Sequence, residues 1–289
     1  KLTANTKVIA VAEDDDQIIY TGISDKAAKF DYKPGKAPAR KSEHLLFIGW
    51  SAMGRAVLTE LAAYLPKGST VHIVAQEKFT KKKETENLVF GDIKATFAYT
   101  SGDIHDLITA ASAKRYDEVI VLGYREKIAQ GEADAQTMLT MLQMNQLFET
   151  DGNGVEPTRL VVEILDSSKA ELARVAAVDD LVVSDNLAAL LIAQISENPA
   201  LAEVFEDLFD AEGASINMKS VDRYAPVGKS VTYGELVAAA AAQGESAIGL
   251  RIFANKNDGG STGVVLNPNK NDEFKLAAGD SLVVIGSIE

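Results

Sequence analysis

The chain has 289 residues, 46% hydrophobic and 25% charged, values that suit one large globular domain or two ordinary ones. Lys and Arg number 29 against 42 Asp and Glu, a net charge of −13, which argues against a nucleic-acid phosphate backbone as partner. No cysteine is present, so disulfides, thiolate zinc sites and thiol catalysis are excluded together, and no apolar run nears the ~20 residues of a membrane helix.

The sequence opens at Lys1 with no basic and apolar leader pattern, and it reads as a piece of a longer chain. Its two ends resemble each other. Residues 2–13 match residues 276–287 without a gap: a leucine, a turn pair, then a strand of aliphatic residues. Residues 1–20 are therefore expected to be the last strand of a preceding copy of the C-terminal lobe. Residues 21–44, with Lys33-Pro34-Gly35 at their centre, read as a linker.

Strands and helices then alternate. Strands are predicted at 45–49, 70–75, 95–99, 118–122, 160–164 and 181–183, with helices at 53–65, 104–113, 133–148 and 170–177 between them. That order implies right-handed βαβ units, hence an α/β, Rossmann-type parallel sheet with helices on both faces over residues 45–185. Residues 186–214 form a helical crossover. There Leu201, Val204, Phe205, Leu208 and Phe209 make one apolar stripe, more than one face of a small lobe needs. Gly213 ends it. Residues 215–289 read as a small α+β lobe, with strands at 216–221 and 247–253, a helix at 233–243 and a closing strand.

The first strand–helix turn is Gly49-Trp50-Ser51-Ala52-Met53-Gly54. A dinucleotide fingerprint wants glycine at its first, third and sixth places. Ser51 stands at the third, so NAD is expected to bind weakly or not at all, although the helix N-terminus still offers N–H groups to an anion. Gln76 and Glu77 close the second strand, where an acid would meet ribose hydroxyls. Gly102 and Asp103 follow the third strand at the carboxyl end of the sheet, where ligands bind; Asp103 and Asp106 suit a helix start, which is sufficient explanation for both. His72, inside an apolar strand, reads as a satisfied core histidine, and Met138, Met141, Leu142 and Met144 as a packing stripe.

Asp210 and Glu212 fall in the last turn of the crossover, where the helix dipole disfavours acids. A cation, calcium above all, would offset them; Lys219 and Arg223 nearby in sequence are the competing partners. Asp14 and Asp16, in the run 13–16, are a weaker oxygen-rich candidate, and the turn at 255–260 lacks the closing Glu of a calcium loop. No metalloprotease, Walker-type or nucleophile-elbow motif occurs. No catalytic residue is assigned.

Taken together, Val8–Asp16, Leu46–Trp50, Val161–Asp166, Val183–Asn186, Leu201–Gly213 and Ala277–Ile285 resemble the gating-ring modules of the CASTOR/POLLUX ion channels, of the RCK (regulator of potassium conductance) class. The resemblance implies the second of two tandem copies, serving as a cytoplasmic regulatory domain of a cation channel at the cell membrane. It implies pairing with a second copy through the crossover helices, a larger ring in the full channel, and a membrane pore domain on the same chain. It also implies sensing of an ion or nucleotide without ordinary NAD binding. The alternatives are a soluble Trk-type regulatory subunit of a transporter and an NAD-linked oxidoreductase.

Overall fold

The computed structural model describes residues 40–86, 88–111, 116–150, 159–175, 180–210, 213–255 and 263–287. The N-terminal repeat copy, Asp14, Asp16, Glu212 and most of the 255–260 turn lie outside them. Two compact units divide the chain between Glu203 and Val204.

The first unit holds β1 (His44–Ile48), β2 (Thr70–Gln76), β3 (Lys94–Thr100), β4 (Glu118–Val121), β5 (Arg159–Ile164) and β6 (Asp180–Val183). They pair in parallel in the order β3-β2-β1-β4-β5-β6. α1 (Ala52–Tyr64), α2 (Ile104–Ala111), α3 (Gln130–Thr150) and α4 (Ala170–Val175) connect them. β1 explains the layering. All of Leu45, Leu46, Phe47 and Ile48 are buried, and alternate residues of a strand face opposite sides of its sheet. Leu46 and Ile48 pack with Leu107 of α2 and Met141 of α3; Leu45 and Phe47 pack with Leu58 of α1 and with Trp50. An apolar run without alternation is what a central strand covered on both faces requires.

One sequence expectation fails here. Met141 and Met144 are buried and Met138 partly so, but Leu142 is 47% exposed. It lies about 100° round the helix from Met141 and misses the buried face. His72 is half-buried and partnered, its Nδ1 2.6 Å from the Tyr116 hydroxyl.

α5 (Ser184–Glu197) follows β6, and α6 (Leu201–Phe209) crosses the division between the units. Neither has a fully buried residue.

The second unit builds one antiparallel sheet in the order β10-β9-β12-β7 from β7 (Ser215–Ser220), β9 (Ser246–Arg251), β10 (Val264–Leu266) and β12 (Ser281–Gly286). β8 (Ser230–Thr232) and β11 (Glu273–Lys275) form a separate pair. α7 (Tyr233–Ala241) starts on a capping box in which Thr232 and Glu235 satisfy each other's backbone N–H groups. The three-residue strands β8, β10 and β11 were not expected, since three residues are too few to show an alternation.

A buried ionic cluster anchors this unit. Lys219 Nζ donates to Glu245 Oε1 at 2.6 Å and to the Ser287 carbonyl at 2.8 Å, while the Tyr224 hydroxyl donates to Glu245 Oε2 at 2.5 Å. Burial and the adjacent carboxylate both push the Tyr224 pKa up. Lys219 is therefore held by Glu245 and the Ser287 carbonyl. Replacing one member of such a pair strands the other. Lys219→Met should lower the unfolding free energy by about 3–5 kcal/mol in urea titration, and adding Glu245→Gln should recover part of that loss; a Lys219→Met loss below 1 kcal/mol would contradict it.

Candidate functional site

The strand order reverses between β1 and β4, and in open parallel sheets ligands bind beyond the strands' carboxyl ends at such a point. Two glycines shape this place. Gly49 has φ +90°, and a Cβ there would lie 2.3 Å from the Leu122 carbonyl oxygen, so the turn can pass the end of β4 only without a side chain. A Cβ on Gly54 would stand 3.1 Å from both Leu122 and the Trp50 ring, which places α1 tightly against the sheet.

Two N–H groups of the α1 terminus that a dinucleotide fingerprint would leave for a ligand are engaged within the chain. Ser51 is buried, and its hydroxyl caps α1 by accepting from the Gly54 N–H at 3.4 Å. The Ala52 N–H donates to the Glu126 carboxylate at 3.2 Å, so a side-chain anion already stands at the helix N-terminus. Trp50 turns into the core, edge-on to Phe90 and Phe97. Met53 is half-buried.

Across the crevice, Gln76 is buried, with its side-chain amide donating to the Gly102 carbonyl at 3.0 Å. Its backbone N–H donates to the Tyr124 hydroxyl at 2.9 Å. Burial pushes the Tyr124 pKa up to about 12, so the hydroxyl stays neutral, and its ring packs on Phe79. Glu77 is exposed at the end of β2. Gly102 donates its N–H to Thr100 Oγ1 at 3.1 Å, and Asp103 caps α2 by accepting from the His105 and Asp106 N–H groups at 2.9 and 3.3 Å. The remaining crevice is lined by Ile48, Gly49, Gln76, Leu107, Tyr124 and Gln136 among others, and the buried Gln136 Oε1 has no partner there.

Sequence reasoning missed the groups following β4. Tyr124 and Glu126 border the crevice, and Arg125 between them donates through Nη2 to Glu163 Oε1 and, at 3.2 Å, to Ser184 Oγ. Ser184 in turn donates to Glu163 Oε1 at 2.9 Å. The available signal was Glu163 itself, a carboxylate in the otherwise apolar Leu160–Ile164 run. A charge in a buried strand demands a partner.

Of the acidic candidates, Asp210 is exposed just beyond α6. Among the described residues no group of three or more metal-ligating side chains is assembled. The stripe on α6 is incompletely covered: Leu201, Val204, Phe205 and Leu208 are half-buried and Phe209 is 54% exposed. Phe205 and Phe209 stack on each other.

No family model matches the chain. It is similar to the probable ion channel POLLUX of Oryza sativa subsp. japonica, 22% identical over 98% of this chain and 32% of that protein. The ion channel POLLUX of Lotus japonicus is 24% identical over 97% of the chain and 34% of its own length; the ion channel CASTOR of the same plant is 22% identical over 98% and 36%. The chain thus spans about a third of the length of the curated relatives it matches. Among solved structures, the human SLO3 gating ring superposes with a TM-score of 0.56 at 13% identity, over 84% of this chain and 44% of that one. The Rossmann-type parallel sheet and the similarity to CASTOR/POLLUX channels, both read from the sequence, are borne out.

With Ser51 and Glu126 occupying the donors of the α1 terminus, NAD should bind weakly or not at all. Calorimetric titration should give no dissociation constant at or below the micromolar range; a micromolar constant would show that a ligand displaces both groups.

Proposed function

We propose that the chain is a regulatory, non-catalytic gating-ring module of a cation channel, held at the cytoplasmic face of the membrane. The carrying observation is that proteins named as ion channels align with it over nearly its whole length. The chain itself has no helix long and apolar enough to cross a membrane among its described residues, so in this reading the pore lies elsewhere on the same polypeptide, beside a first tandem copy of the module. A hydride-transferring oxidoreductase is disfavoured by the engaged α1 terminus.

A gating module acts by binding a ligand with different affinity in two conformations of its assembly. Recording the full channel in a planar bilayer with and without residues 40–287 tests this reading. Deletion should abolish the response of open probability to calcium or nucleotide on the module's side, and an undiminished response would overturn it.

The assembly is proposed to form through α5 and α6. Leu187, Leu190 and Ile192 of α5 are each between 49% and 66% exposed, and Phe209 of α6 is 54% exposed; exposed apolar side chains on a helix are of the kind that an interface covers. Phe205→Asp should convert a homodimer into a soluble monomer in light scattering; an unchanged dimer would place the interface elsewhere.

Calcium at Asp210 and Glu212 is the ligand this reading favours. α6 ends at Phe209, so Asp210 follows the helix instead of closing its last turn, and it is exposed; an acidic stretch there offers the oxygen ligands that a hard cation prefers. Added calcium should raise the melting temperature through binding to the folded state, and Asp210→Asn should abolish the rise. An equal rise in the variant would exclude this site.

A further inference from the structure

We propose that the segment Leu122–Glu126 is a mechanical link that carries displacement from the sheet-edge crevice to the start of α5. The link lies within the first unit, so it stands whether or not the chain regulates a pore.

Three consecutive side chains of this segment reach four different elements. Tyr124 holds the end of β2 through the Gln76 N–H. Glu126 holds the first residue of α1. Arg125 holds Glu163 at the end of β5 and Ser184, the first residue of α5. Behind them, Leu122 donates its N–H to the Ile48 carbonyl at 2.9 Å, and its own carbonyl is wedged under Gly49. Adjacent residues span at most about 3.6 Å each. Tyr124, Arg125 and Glu126 are consecutive, so a shift of Tyr124 or Glu126 acts on the backbone directly beside Arg125. A second tie at the same end, Gln130 Nε2 to Asp185 Oδ2 at 3.1 Å, fixes α5 to the start of α3.

The Arg125–Glu163 contact leaves room for a tighter pairing. A guanidinium and a carboxylate can make two parallel hydrogen bonds. Here Glu163 uses only Oε1, while Glu163 Oε2 and Arg125 Nε are both buried without partners, and the Glu163 side chain is only 7% exposed. A buried donor and acceptor left open favour a second arrangement that joins them. Closing the fork would join Nε to Oε2 while Nη2 keeps Oε1 through one N–H and Ser184 through the other, and Ser184 itself donates to Glu163 Oε1, so a displacement of the pair is passed to the start of α5 in either arrangement.

The test is amide hydrogen exchange on the full chain, read along α5. Tyr124→Phe keeps the ring on Phe79 and deletes the hydroxyl, and Glu126→Gln weakens the hold on α1. Each should speed exchange in the first two turns of α5 by about threefold or more, with β4 and β5 unchanged. In the background Arg125→Met with Glu163→Gln, which removes the pair without stranding a buried charge, neither change should affect α5 further. Arg125→Lys, which keeps the charge but loses the fork, should show the same insensitivity and serves if the double variant does not fold. Unaltered α5 exchange in both Tyr124→Phe and Glu126→Gln, or equal increments with and without Arg125, would overturn the link.

Discussion

The first unit depends on the close approach of the Gly49 turn to the end of β4. β1 pairs with β2 on one side and β4 on the other, and the crevice exists because the chain leaves β1 at the place where strand order reverses. Gly49 permits that exit with the Leu122 carbonyl directly against it. From this contact follow the position of α1, the burial of Trp50, and the path of the residues after Leu122. A side chain at position 49 would push β4 away from β1 and disturb both faces of the core.

Beside this contact, a dinucleotide-type scaffold has two N–H groups of its α1 terminus met by its own side chains. Glycines stand where the fold needs them for packing, and serine stands where only a ligand would need glycine. The hydroxyl of Ser51 and the carboxylate of Glu126 satisfy helix N–H groups that a pyrophosphate would otherwise meet. Fold and ligand chemistry are separable on this architecture.

The parallel sheet was legible because β1, β2 and β5 are apolar runs of strand length separated by helix-length segments, and their boundaries agree within a few residues. Gly49 and Gly54 were legible as turn and packing residues for the same reason. The crevice's working side chains were not. Tyr124, Arg125 and Glu126 follow a strand as three ordinary polar residues, and only the fold brings Gln76, Glu163 and Ser184 to them from positions 48, 38 and 59 residues away. The Lys219 environment was not legible either: strand pairing places it in a buried cluster with Glu245, 26 residues away.

The placement of β12 bears on how the second unit is made. This strand comes last of the four in chain order yet sits between β9 and β7, which share no hydrogen bonds of their own. During synthesis β7, β9 and β10 emerge first and can form only the β9–β10 hairpin; the sheet must wait for residues 281–286 before it closes. Until then the apolar faces of α7 and β9 lack their cover, including the Leu282 and Val284 that complete this core. Non-local pairing of this kind folds late and exposes sticky intermediates, so in a growing polypeptide this unit is the one that most needs shelter before translation passes Gly286.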